Sequence, residues 1–271
     1  MLGVYLDNVR KVSPLIHNIT NYVTVNDVAN VLLACGASPI MADDPDDAEE
    51  ITAICSGLNI NIGTLNTRTI ASMFRAGAKA QELGHALLLD PVGAGASTLR
   101  TKTALDLVKS LKFDVIRGNA SEIKTLALGT GTTHGVDADK ADAVSDDNLA
   151  FMADFVRDFA RSTGSIIALT GAIDLVADAS RCFVIRNGRP EMGRITGTGC
   201  QLSGIMTAFT AANPEHKLEA AASAVAVMGL AGELAFNAHN GNATYRNKII
   251  DAIYFFTGDV IDGGARYEIL Q

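Results

Sequence analysis

Short apolar runs ending in Gly, Asp, Arg or Thr alternate with helical stretches along almost the whole chain, and no other feature restricts the fold as tightly. Strands separated by helices pair most simply in parallel. A parallel sheet is covered on both faces, so its strands read as continuous apolar runs. The runs from Ser38 to Met41, Leu58 to Ile62, Ala86 to Leu89, Asp114 to Ile116 and Ser165 to Leu169 are of this kind. Helical spacing places helices roughly from Val25 to Cys35, Asp46 to Ser56, Arg68 to Leu83, Lys102 to Leu111, Ser121 to Leu128 and Asp147 to Arg161. A hairpin-like pair, Asp174 to Ala177 and Arg181 to Ile185, carries a turn signal at Asn187-Gly188, and the remainder reads as mostly helical. The segment from Gly129 to Asp139, rich in Gly, Thr and Asp, reads as a loop beside a site. With 271 residues, 48% of them hydrophobic, and no linker or repeat, the chain predicts an α/β protein with a sizeable core.

In open α/β sheets ligands bind beyond the carboxyl ends of the strands, which directs attention to the polar residues there. Asp90 ends one run in Leu89-Asp90-Pro91-Val92-Gly93-Ala94-Gly95, and Arg117 ends another in Arg117-Gly118-Asn119-Ala120-Ser121-Glu122. Thr170-Gly171 ends a third. Asp90 and Glu122 can share one Mg²⁺, a cation that keeps several waters and leans on phosphate oxygens for its other ligands. Arg117 suits phosphate through its planar fork. Taken singly, Asp90 is also a turn former before Pro and Glu122 a helix N-terminal charge.

The run Ile195-Thr196-Gly197-Thr198-Gly199-Cys200 leads directly into a helical pattern with Leu202, Ile205, Met206 and Phe209 on one face, stopping at Asn213-Pro214. Two glycines two apart permit a tight turn and leave peptide N–H groups open to an anion. Cys200 then falls in the first helical turn, where a positive macrodipole is expected to favour the thiolate and make the residue a base or nucleophile near neutral pH. A buried cysteine after an ordinary glycine turn is the other reading of the hexapeptide alone.

A formal charge of −8 with no basic stripe argues against a nucleic-acid surface. Four dispersed cysteines, with no CxxC pair and no secretory leader, fit a reducing cytoplasmic setting. The apolar runs are interrupted by Asn, Asp, Gly or Arg, so no stretch of membrane-spanning length is expected. The Asn-x-Ser/Thr triplets at Asn18, Asn119 and Asn242 therefore carry no glycosylation meaning. A Walker A lysine is absent, so a phosphate cradle has to come from the glycine turn.

The stretches HNITNYV from His17, GASPIMA from Gly36, NIGTL from Asn61, LLDPVGAGAS from Leu88, IRGNASEI from Ile116, LTGAIDLV from Leu169 and ITGTGCQLSG from Ile195 resemble, in order and spacing, the hydroxyethylthiazole kinases of thiamine salvage. Cysteine after Gly-x-Gly is the specific element, since most ribokinase-like enzymes carry aspartate there as the base. The resemblance implies a ribokinase-like three-layer α/β/α fold with a mostly parallel central sheet, formed as a single domain over residues 1–271. It implies Cys200 as the catalytic base, Arg117 and Thr170 as ATP contacts, Asp90 and Glu122 as ligands of Mg²⁺ or its waters, and Met41 and Gly197 as thiazole contacts. Asn21 either faces the small substrate or caps the helix from Val25. A homotrimer with substrate sites at subunit interfaces, acting on small molecules with neither nucleic acid nor membrane as partner, is implied as well. Thr198 stands where the family often carries Ala.

Other readings give different chemistry. A kinase of another vitamin-precursor alcohol, of hydroxymethylpyrimidine or pyridoxal type, shares the fold and sometimes the cysteine. A covalent acyl mechanism would use Cys200 with His17 or His134 as base. A non-catalytic nucleotide sensor would bind without turnover.

Overall fold

Among the described residues, six strands pair in parallel because a helix or a long connection separates each from the next. The computed structural model describes residues 1–129 and 143–271. Its strands are β1 (Leu15–Ile19), β2 (Ser38–Ile40), β3 (Gly57–Asn61), β4 (Ala86–Asp90), β5 (Val115–Asn119), β6 (Ile166–Thr170), β7 (Asp174–Ala177), β8 (Cys182–Ile185) and β9 (Tyr267–Leu270). The helices are α1 (Gly3–Val12), α2 (Val25–Cys35), α3 (Ala48–Ile54), α4 (Thr67–Leu83), α5 (Thr98–Ser110), α6 (Ala120–Gly129), α7 (Leu149–Thr163), α8 (Thr198–Ala212), α9 (Lys217–Ala235), α10 (Asn242–Phe255) and α11 (Gly258–Gly264). One sheet runs β2-β1-β3-β4-β5-β6-β7-β8-β9, parallel from β2 to β6 and antiparallel beyond.

Successive strand residues point to opposite faces, and this divides the core in two. Leu88, Val115, Ala168 and Val176 pack with α1, α2, α8 and α9, while Leu87, Leu89, Ile116, Ile167 and Leu175 pack with residues of α4, α6 and α7. The sheet is therefore the middle layer of three.

Several sequence expectations need correction. The polar HNITN stretch begins inside a strand: His17 and Asn18 lie in β1, fully buried, with His17 bonded to Thr52 Oγ1 and the Ala42 carbonyl and Asn18 to Asn59 and the Ile16 carbonyl. Arg117 is the third residue of β5 and does not end it. The hairpin turns at Asp178, whose carboxylate accepts from the Ser180 and Arg181 amides, whereas Asn187-Gly188 follows β8. The C-terminal remainder is mostly helical as expected, with α8 to α11, and adds one strand, β9, that closes the sheet against β8. The stretch Pro214–Ala235, containing α9, is long and apolar enough by length and composition to cross a membrane, contrary to expectation. It packs as a core helix, with 83% of its apolar window buried. The expected loop from Gly129 to Asp139 lies, apart from Gly129, outside the described residues.

Helix α8 touches α1, α2, α9 and strands β1, β3 and β4, so its placement fixes the site that its first turn carries. Phe209, fully buried on this helix, anchors it. Phe209→Ala is expected to lower unfolding free energy by about 3–5 kcal/mol, measured by urea denaturation. A loss below about 1 kcal/mol would show that α8 is not held by that contact.

Candidate active site

The carboxyl ends of β3, β4, β5 and β6 converge on the first turn of α8. Gly197, its N-cap, has a φ of +85°, a left-handed conformation suited to glycine, and a Cβ there would lie 2.3 Å from the Thr24 side chain. Among the described residues no side chain caps this helix, so its first-turn amides are left without a side-chain acceptor. Gly199 serves a second purpose: a Cβ would lie 2.6 Å from both terminal nitrogens of Arg117, so only glycine lets the guanidinium lie against the helix start.

Asp90, the last residue of β4, is fully buried. Its Oδ2 accepts from Ser203 Oγ at 2.7 Å and Asn61 Nδ2 at 2.8 Å, with Arg117 Nη1 at 3.5 Å. Its Oδ1 has no partner among the described residues. Burial pushes the Asp90 carboxyl up, and Glu122 adds to the rise, while Arg117, Ser203 and Asn61 oppose it. Arg117 also donates to Thr170 Oγ1 at 2.7 Å, and its Nε has no partner among the described residues. A buried oxygen and a buried donor left open at one place are costly unless something else meets them.

Glu122 is bound differently. Oε1 accepts from the Gly93 amide and Oε2 from the Asn119 amide, each at 2.8 Å, while Asn119 Oδ1 accepts from the Glu122 amide at 2.9 Å. The side chain thus holds the turn after β4 to the start of α6. Arg100 ties in the next turn, donating to the Gly63 carbonyl at 2.7 Å and filling the space that Gly93 leaves open.

Cys200 is buried in the first turn of α8. Its sulfur accepts from Asn21 Nδ2 at 3.2 Å and Asn61 Nδ2 at 3.3 Å. The expected lowering of its pKa is not found. Burial pushes the thiol up and the Asp90 charge pushes it further, outweighing hydrogen bonds from Thr24 and Asn21 and the charge of Arg117. The helix start acts locally, and burial and the Asp90 charge, both products of the tertiary fold, override it. Asn21 also accepts from the Thr24 amide at 3.1 Å, just ahead of α2, so it steadies that helix start as well as meeting the sulfur. His17, with both ring nitrogens engaged elsewhere, is not a partner of Cys200, and His134 lies outside the described residues.

A cleft of about 540 Å³ opens beside these groups, lined by Arg117, Thr170, Thr198 and Gly199 at one end and by Met192, Val225 and Met228 at the other. Met41 does not line it. It follows β2 near the sheet edge, half-buried against the cluster that contains Cys200 and Leu202. The structure therefore brings Cys200, Gly197, Asp90, Arg117, Thr170 and Glu122 together, with Met41 packed against the apolar cluster that contains Cys200. Asn61, Ser203 and Arg100 are additions, and Asn21, already a candidate, joins them. Asn61 and Ser203 lie in the NIGTL and ITGTGCQLSG stretches, and Arg100 had no distinguishing signal.

The profile of the hydroxyethylthiazole kinase family matches residues 6–259. A hydroxyethylthiazole kinase of Clostridium acetobutylicum is 58% identical over 271 residues, covering 99% of each chain. The solved structure of the hydroxyethylthiazole kinase protein of Pyrococcus horikoshii superposes with a TM-score of 0.89 at 35% identity, covering 100% of this chain and 99% of that one. A ribokinase-like superfamily protein of Enterococcus faecalis, 18% identical, has a TM-score of 0.66 over 94% of this chain and 89% of its own. The fold is therefore the ribokinase-like α/β architecture expected from the sequence.

Asp174 supplies a pH test of the cleft. It is buried at the wall, accepts from the Gly171 amide at 2.8 Å, and burial pushes its carboxyl up to about 7 against that bond and the Arg117 charge. A folded value above the ordinary 3.8 means that the native chain binds the extra proton between the two. The contribution to stability is therefore largest below the ordinary value and is lost as pH rises toward the folded one. Asp174→Asn keeps an acceptor for Gly171 but does not titrate. Its melting temperature relative to the parent is expected to climb between about pH 4 and pH 7; a difference that stays flat across that range would contradict the assignment.

Proposed function

The chain belongs to the hydroxyethylthiazole kinase family, and from that membership we propose that it phosphorylates the hydroxyl of 4-methyl-5-(2-hydroxyethyl)thiazole with ATP, in thiamine salvage. One observation carries the reading within this chain. An uncapped helix start, a guanidinium with an open donor and a buried carboxylate with an open oxygen meet at one point, and a cysteine adjoins them.

Phosphoryl transfer needs positioning and charge stabilisation more than covalent chemistry. The amides of the Gly197 to Cys200 turn and Arg117 receive phosphate oxygens, Thr170 holds Arg117 in place, and the apolar end of the cleft takes the base. The Asp90 Oδ1 that lacks a partner is a hard oxygen donor of the kind Mg²⁺ takes, and Glu122, held by two amides, is placed to meet one of its waters. Bound there, Mg²⁺ would supply positive charge to the phosphate oxygens. Gly197 and, from the sheet edge, Met41 contact the thiazole. Cys200 accepts the proton as the hydroxyl oxygen attacks. Burial and the Asp90 charge push its thiol up, so turnover is expected to rise with pH. The protein acts in the cytoplasm as a single kinase domain and as a homotrimer that completes the acceptor site at its interfaces.

A coupled ADP-release assay with Mg²⁺ and a panel of vitamin-precursor alcohols tests the substrate: ADP release that depends on the thiazole alcohol is expected, and equal or greater turnover of a pyrimidine or pyridoxal alcohol would reassign it. The base is tested in the same assay. Cys200→Asp should retain substantial activity, because a carboxylate can accept the proton. Cys200→Ser should lose activity on the order of 10²-fold or more. A covalent adduct on Cys200, seen by rapid-quench mass spectrometry and formed fast enough to lie on the pathway, would contradict proton acceptance.

A further inference from the structure

Two side-chain amides converge on the sulfur of Cys200, and both are used to their full hydrogen-bonding capacity. Asn61 gives one proton to Asp90 Oδ2 at 2.8 Å and the other to Cys200 Sγ at 3.3 Å, while its Oδ1 accepts from the Gly63 amide at 2.9 Å and Asn21 Nδ2 at 3.0 Å. Asn21 gives its protons to Asn61 Oδ1 and to Sγ, and its Oδ1 accepts from the Thr24 amide at 3.1 Å and the Thr24 hydroxyl at 3.0 Å. Two donor protons and an accepting oxygen are what a primary amide has to offer.

The orientation of each amide follows from its partners. Turning Asn61 over would set its oxygen against the Asp90 carboxylate. Turning Asn21 over would break both bonds from Thr24 and face its oxygen to that of Asn61. Both side chains are buried, at 1% and 4% exposure, so water cannot substitute for a lost partner without cost. The network therefore presents donors alone to the sulfur. A donor pair favours a sulfur that carries negative charge, because hydrogen bonds to charged acceptors are about twice as strong as neutral ones. The charged groups facing the sulfur are Asp90 at the end of β4, which opposes that charge, and Arg117 on β5, which favours it.

We propose that Asn61 and Asn21 are the positioning residues of the proton acceptor, orienting the Cys200 sulfur with a fixed pair of donors, and that Asn61 joins it to Asp90 so that the acceptor and phosphate sides form one hydrogen-bonded unit. The inference rests on the kinase reading and adds to it two residues acting through Cys200. A bracing role for the end of β3 and the turn before α2 is the competing explanation.

A double-mutant cycle separates the two. Asn21→Ala and Asn61→Ala, each made in the parent and in Cys200→Ala, are assayed for kcat and for the KM of ATP and thiazole alcohol. In the parent each should lower kcat by about 10-fold or more with KM for ATP changed far less; in Cys200→Ala, Asn21→Ala should cost under about 2-fold and Asn61→Ala clearly less than in the parent, keeping only the loss that comes through its Asp90 bond, because residues acting through one group are non-additive. Equal losses in both backgrounds would overturn the proposal. A second measurement needs no substrate. The pH midpoint of Cys200 alkylation by iodoacetamide, followed by peptide mass spectrometry on Asn21→Ala with an intact urea transition, should move upward by about one unit. An unmoved midpoint would overturn the proposal as well. Absence of thiazole-dependent turnover in the parent, with the alkylation shift present, would instead sink the kinase reading alone.

Discussion

A carboxylate with no access to solvent, Asp90, sets the terms for everything around it. Removing a charge from water is costly unless donors surround it. Here the donors come from three separate elements: Asn61 ends β3, Arg117 lies on β5, and Ser203 is on α8. Each of those elements must therefore sit where Asp90 needs it. Arg117 can approach only because Gly199 has no side chain, and Gly199 opens α8 only because Gly197 adopts the left-handed turn. The glycine spacing in the hexapeptide is thus a consequence of burying one charge beside one guanidinium.

The layered fold makes this arrangement possible. A sheet buried on both faces leaves its parallel strands only their carboxyl ends for polar chemistry, and successive strands bring those ends side by side. Asn61 and Asp90 are register partners on β3 and β4, and Asn119 and Thr170 are partners on β5 and β6. Side chains far apart in sequence reach hydrogen-bond distance through strand pairing rather than through loops. Helix α8, packed on both the sheet and its helical neighbours, adds the amides and the thiol to that row.

The motifs at strand ends were readable in the sequence because Asp90, Thr170 and the glycine turn sit where apolar runs stop. The polar strand residues were harder. His17 and Asn18 look like interruptions of an apolar run, and only the partners brought by folding, Thr52 and Asn59, make their burial tolerable. The same is true of Asn61, whose role depends on Asp90 and Cys200, distant in sequence. The Cys200 pKa went the wrong way for a related reason: the helix start is local and visible in sequence, whereas burial and the nearby Asp90 are tertiary. The short edge strand β9, with Glu268 on an exposed face, lacks the apolar run that reveals internal strands.

The central claim is that nucleotide phosphates are held between the first turn of α8 and Arg117. Calorimetric titration of ADP with Mg²⁺ into Gly199→Ala tests it directly, because the added methyl would occupy space within 2.6 Å of the guanidinium nitrogens and force Arg117 away. Affinity weakened on the order of 10-fold or more, about 1.4 kcal/mol, with the fold retained by circular dichroism, is the predicted result. Binding as tight as that of the parent chain would contradict it.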